Sequence, residues 1–155
     1  MTVAKAPCGT GTVPAVRLAL AKDRCLRGAP PFVKTPGDAV GFLQRNYGCR
    51  AQEFFLAIYM NTAGEIVNVH EVGMGGMSVA MVDPRVLFAG AITSGAASFI
   101  ICHNHPSGNG DPSSADLELT RQLVAGAKLL GLQILDHLVI ARGGEWTSFR
   151  AKGLM

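Results

Sequence analysis

Charge is scarce in this chain: Asp, Glu, Lys and Arg make up 16% of its 155 residues, against 48% hydrophobic residues. With a positive mean hydropathy, this composition excludes a disordered polyelectrolyte and requires one packed core. Long apolar runs are missing as well. No segment approaches the roughly 18–20 apolar residues that span a bilayer, so no membrane association is expected. The opening residues, MTVAKAPCGTGTVPAVRLALAK, lack a continuous apolar stretch and a small-residue cleavage site. That argues against a secretory signal and makes a cytoplasmic protein the expectation. The four cysteines, Cys8, Cys25, Cys49 and Cys102, form no C-x-x-C pair, which excludes a zinc ribbon and a disulfide framework and fits reduced thiols.

What charge there is lies unevenly. Residues 1–50 carry eight Lys/Arg against two Asp, and residues 51–155 six Lys/Arg against nine Asp/Glu. Residues 1–34 read as a Pro/Gly-rich basic leader, a solvated and partly disordered arm, with a short helix at VRLALAKDRCLR. Such a leader could touch DNA, but it has no Lys/Arg run and few aromatics. Residues 35–155 read as one domain. DAVGFLQRNY is a helix with Asp38 near its N-cap and Gly48 after its end. EFFLAIYM and EIVNVHEV are strands joined by the turn NTAG. After the connector GMGGMSVAM, Asp83 and Pro84 open the helix PRVLFAGAITSGA. SFIIC is a short apolar strand. SSADLELTRQLVAGAKLLG is a helix with Leu119, Leu123, Ala127 and Leu130 on one face, and LQILDHLVIA and EWTSFR close the chain as strands. Strands and helices interleave, so the fold class is α/β with a mixed sheet.

The chemistry concentrates in IICHNHPSGNGDPSSAD, Ile100 to Asp116. Side chains alternate in extended backbone, so His103 and His105 share one side while Asn104, and Cys102 in the core, point to the other. Pro106 ends the ladder, and the loop delivers Asp116 to the first turn of the next helix, where a carboxylate is favoured. Two His and one carboxylate with an open fourth position form a ligand set used by catalytic zinc and also by ferrous iron. A blander reading stands beside it: Ser113 and Asp116 match the S-x-x-D pattern of a helix cap. The letters HNH do not make a nuclease, since that class is not recognised by three consecutive letters and no second acidic or basic cluster accompanies them.

With its flanks, HNHPSGNGDPSSAD resembles the JAMM (JAB/MPN-type) metalloprotease signature: H-x-H-P, seven intervening residues after the second His, a Ser, then two more and an Asp. Within that superfamily it is most similar to the RadC-like branch, with H-N-H-P-S-G followed by P-S-x-x-D. EFFLAIYMNTAGEI upstream and LLGLQILDHLVI downstream match that branch as well, and the similarity covers Thr35–Met155. The resemblance implies a single JAB/MPN-like (cytidine-deaminase-like) domain, a mixed curved β-sheet flanked by helices. It implies one Zn2+ ion held by His103, His105 and Asp116, Glu53 as general base, and Ser113 as a hydroxyl near the developing oxyanion. Glu65 and Glu71 do not sit where the pattern puts the acid. The implied activity is zinc-dependent hydrolysis of a peptide or isopeptide bond in an unidentified peptide or protein substrate. The alternative is a non-catalytic metal-binding module tied to DNA repair or mobile-element DNA metabolism. RadC-like proteins commonly carry a helix-hairpin-helix-like domain ahead of this one, and residues 1–34 are too short and too Pro/Gly-broken to supply it. Asp136 and His137 are expected to pair within the core or to take polar roles near the site, and His70 is given no role. Nothing in the sequence sets an oligomeric state.

Overall fold

The structure, a computed structural model, describes residues 19–47, 52–74 and 82–155. Among these, three helices and five strands follow in the order α1 (Pro36–Tyr47), β1 (Phe54–Met60), β2 (Ile66–Met74), α2 (Pro84–Thr93), β3 (Ser98–His105), α3 (Ser114–Leu129), β4 (Gln133–Ala141) and β5 (Trp146–Ser148). They build the expected α/β domain around one mixed sheet of strand order β2-β1-β3-β4-β5. Neighbours are antiparallel except β3 and β4, which run parallel through the crossover helix α3, as a parallel pair requires.

All seven residues of β1 are buried, because both faces of this inner strand are covered. Alternation sorts the apolar side chains into two clusters. On one face Leu56, Ile58, Ile100, Cys102, Leu138 and Ile140 pack with Val40, Phe42 and Leu43 of α1. On the other, Phe55, Tyr59, Phe99 and Ile101 meet Leu87 of α2 and Leu119, Leu123 and Ala127 of α3. Cys102 lies in the core opposite His103, as alternation demands. Leu123 has no solvent exposure, and truncating such a leucine to alanine costs about 2–5 kcal/mol.

The extended backbone expected up to Pro106 is found: β3 runs past the apolar letters SFIIC to His105, and β4 stays paired with it as far as the His105–Ala141 pair. One local expectation is corrected. Residues 19–27, the described part of the expected helix at VRLALAKDRCLR, form neither helix nor strand. Asp38 lies near the N-cap of α1 as expected, in its first turn, although the helix already begins at Pro36. Thr35 accepts from the Asp38 amide through Oγ1, while Asp38 Oδ2 reaches back to the Thr35 and Lys34 amides. Gly48 and most of the Gly/Met-rich connector lie outside the described residues.

Candidate metal centre

The end of β3 and the start of α3 meet on the face occupied by α2 and α3. His103 pairs with Phe55 across β1, and its ring stacks parallel to the Phe55 ring with centroids 6.1 Å apart. His105, two residues on, shares that side. Their Nε2 atoms approach to 3.0 Å. Asp116 arrives from the first turn of α3, with Oδ1 3.3 Å from His103 Nε2 and Oδ2 3.6 Å from His105 Nε2. Ligand atoms of the three residues lie within 4.8 Å of one another, the one such grouping of His, Cys, Asp or Glu among the described residues.

The cap reading of Ser113 and Asp116 holds at the same time. Ser113 Oγ accepts from the Asp116 amide, and the Ser113 amide and hydroxyl both donate to Asp116 Oδ2, each at 2.7 Å. This uses one carboxylate oxygen and leaves the other. Asp116 has no solvent exposure, and Oδ1 is the one buried side-chain polar atom without a hydrogen-bond partner among the described residues. Its 3.3 Å neighbour, His103 Nε2, meets the distance for an ion pair but makes no hydrogen bond to it. A buried oxygen left in that condition is costly unless a cation completes it.

His105 supplies the matching observation. Its Nδ1 lies 2.7 Å from the Asn109 carbonyl, which can only accept, so that nitrogen carries the proton and a neutral ring has a bare Nε2. Two imidazole nitrogens and a carboxylate oxygen thus converge on a point that a cation can occupy, and the donor set fits a divalent metal with an open position. His105 is the most exposed of the three side chains, at 19% against 9% for His103, so solvent reaches the site on its side. The electrostatics agree. Burial works against charge on Asp116, but contacts with His103, His105 and Ser113 outweigh it and hold the carboxyl well below the usual range. Contact with Asp116 raises the His105 pKa; burial opposes this, while the Asn109 carbonyl and the charges of Asp116 and Glu53 reinforce it.

Comparison with known families matches residues 33–154 to the RadC-like JAB domain. The chain belongs to that family. Among curated relatives, it is 39% identical over 123 residues to a UPF0758 protein of Bacillus pumilus, covering 79% of this chain and 54% of the relative. It is 35% identical over 153 residues to a UPF0758 protein of Bacillus velezensis, covering 95% and 66%. Over 106 residues it is 44% identical to a UPF0758 protein of Methanospirillum hungatei, covering 68% and 47%. The chain thus spans between about half and two thirds of the length of these relatives. No helix among the described residues is long and apolar enough to cross a membrane.

In this RadC-like domain Glu53 immediately precedes β1. The last pair of the β1–β3 ladder on this side is Phe55 with His103, and the Glu53 carboxylate is near enough for its charge to act on His105. The segment is held there by Asn104. From the opposite face of β3, its Oδ1 accepts from the Phe54 amide at 2.7 Å and its Nδ2 donates to the Gln52 carbonyl at 3.1 Å. Asn104 therefore brackets Glu53 on both sides, a role that alternation alone does not reveal. The competing glutamates are engaged elsewhere: Glu71 accepts from Tyr47 and pairs with Arg24, and Glu65 accepts from Asn61. Asp136 and His137 do not pair side chain to side chain, since neighbouring residues of a strand face opposite ways. Asp136 accepts from Ser148 and from the Arg150 and His137 amides, whereas His137 lies behind His103. His70 contacts the Tyr59 hydroxyl through Nδ1 at 3.2 Å. Thr120, which no motif singled out, lies beside His137.

Proposed function

We propose that this domain is a JAMM-type metallohydrolase that cleaves a peptide or isopeptide bond, with zinc held by His103, His105 and Asp116. The observation that carries this reading is the buried, unpartnered Asp116 Oδ1 set against the two imidazole Nε2 atoms. When bound, such an ion supplies Lewis acidity and lowers the pKa of a coordinated water towards about 7. Glu53, whose charge acts on His105, takes the proton of the attacking water and passes it to the leaving amine. Ser113 is an exposed residue whose hydroxyl donates to Asp116 Oδ2; that hydroxyl can turn to a substrate oxyanion while the Ser113 amide keeps the carboxylate in place. The partner is an exposed peptide segment or an isopeptide-linked protein.

The test is metal content and hydrolysis measured on the same preparations. The expected result is one zinc per chain and cleavage of an unstructured peptide mixture, with Glu53→Gln retaining metal and losing cleavage by about 100-fold or more. His103→Ala retaining full metal would overturn the ligand set. Stoichiometric metal without cleavage would favour the non-catalytic module instead.

A further inference from the structure

Behind the ligands, three further hydrogen bonds close a circuit. His103 Nδ1 meets His137 Nε2 at 2.8 Å, His137 Nδ1 meets Thr120 Oγ1 at 2.6 Å, and Thr120 Oγ1 donates to the Asp116 carbonyl at 2.6 Å. The proton order along it follows from the last link. A carbonyl has no proton to give, and a hydroxyl has only one. Thr120 therefore gives its proton to Asp116 and accepts from His137 Nδ1–H. His137 has no solvent exposure, where a doubly protonated ring is disfavoured; as a neutral ring it has a bare Nε2. That nitrogen accepts from His103 Nδ1–H, and His103 in turn has a bare Nε2 facing Asp116 Oδ1 and His105.

We propose that Thr120 and His137 are positioning residues that hold His103 in its metal-binding tautomer and tie it to the same helical turn that presents Asp116. The proposal rests on the metal-site reading above and goes beyond it by naming what orders the protons. The fold supplies the rigidity this needs. Asp116 and Thr120 are four residues apart and share one face of α3. His137 is clamped between the Phe149 ring, stacked at 4.5 Å, and the edge of Phe55 at 5.9 Å. The two histidine ligands thereby reach the same tautomer by different routes. His105 uses a carbonyl four residues along its own loop, and His103 uses side chains from β4 and α3.

Thr120→Val separates this role from packing, because it removes the hydroxyl while keeping the shape. Without its acceptor, His137 is free to carry its proton on Nε2 and donate to His103 Nδ1, which moves the His103 proton onto Nε2, where the metal must bind. Imidazole 15N NMR on the metal-free protein is expected to show His103 as Nδ1–H in the wild type and Nε2–H in Thr120→Val, with Thr120→Ser restoring the wild-type pattern. Zinc affinity by chelator competition is expected to fall roughly 10–100-fold in Thr120→Val and to recover in Thr120→Ser. An unchanged His103 tautomer in Thr120→Val would overturn the proposal. So would a shift in tautomer with unchanged zinc affinity. A wild-type protein that binds no zinc would instead overturn the metal-site reading, with the tautomer measurement still deciding the relay.

Discussion

The N-termini of α1 and α3 are built from the same local device and come to different ends. In TPGD a Thr35 hydroxyl accepts from the Asp38 amide and Asp38 reaches back to the Thr35 amide. In SSAD, Ser113 and Asp116 repeat both bonds. Each carboxylate sits where a helix favours negative charge, and each has its pKa lowered, Asp38 first by the Thr35 amide and Asp116 by its imidazole and serine contacts against burial. The difference is what surrounds the second oxygen. Asp38 remains in contact with water, so nothing is asked of its surroundings. Asp116 is sealed between α3 and the end of β3 with one oxygen unmatched. A cap turned towards solvent stays a cap, and a cap turned into a histidine pair becomes a candidate metal ligand.

The largest effect should separate the two aspartates outright. Asp116→Asn is expected to lower zinc affinity by more than the roughly 100-fold typical of losing an outer contact, while Asp38→Asn leaves it unchanged, both read by chelator competition. Equal losses in the two variants would break the comparison.

A second test asks whether burial or an unmatched oxygen makes the difference. Asp136 is nearly as buried as Asp116 but accepts three hydrogen bonds. Asp136→Ala strands those donors at roughly 1–3 kcal/mol each, so a loss of at least ~3 kcal/mol is expected in chemical denaturation. In metal-free protein Asp116→Ala should cost less, about 1 kcal/mol, because removing the buried, unpartnered Oδ1 offsets the lost histidine contacts and leaves mainly the cap contacts to count. The reverse order would mean that Asp116 is held for stability and not for a ligand.

Smaller still are the caps themselves. Thr35→Ala and Ser113→Ala should each lose about 1 kcal/mol, or roughly 2–4 °C in Tm for a chain of this size, and only Ser113→Ala should also weaken zinc binding.

The smallest effect extends the comparison to histidines. His70 contacts a hydroxyl, Tyr59, and not a bare nitrogen, and burial lowers its pKa from 6.5. The unfolded chain then takes up the proton first as pH falls, so this contribution is present above about 6.5 and is lost as pH drops through the depressed value. His70→Asn should flatten the fall in stability between about pH 6.5 and 5 without changing zinc retention. Thermal unfolding across that range checks both.

Much of this was legible in the residues. Alternation placed His103 and His105 together and Cys102 in the core, the S-x-x-D spacing announced the cap, and the H-x-H-P run with its flanks pointed to the family. Pro106 marked the end of β3, but other ends were less legible. Helix α1 begins at Pro36, two residues ahead of Asp38, because the capping hydrogen bonds start at Thr35, and residues 19–27 carry helical letters yet form neither helix nor strand.

The sequence by itself determined what lies within one helical turn or one strand repeat, because those periods act between near neighbours in the chain. It therefore set the candidate ligand types, their shared side and the cap that carries Asp116. Only the tertiary structure decided which aspartate loses its water, which backbone Asn104 clamps around Glu53, and which side chains stand behind His103. Those contacts join residues from β1, β3, β4 and α3, and no periodicity encodes the order in which strands lie side by side.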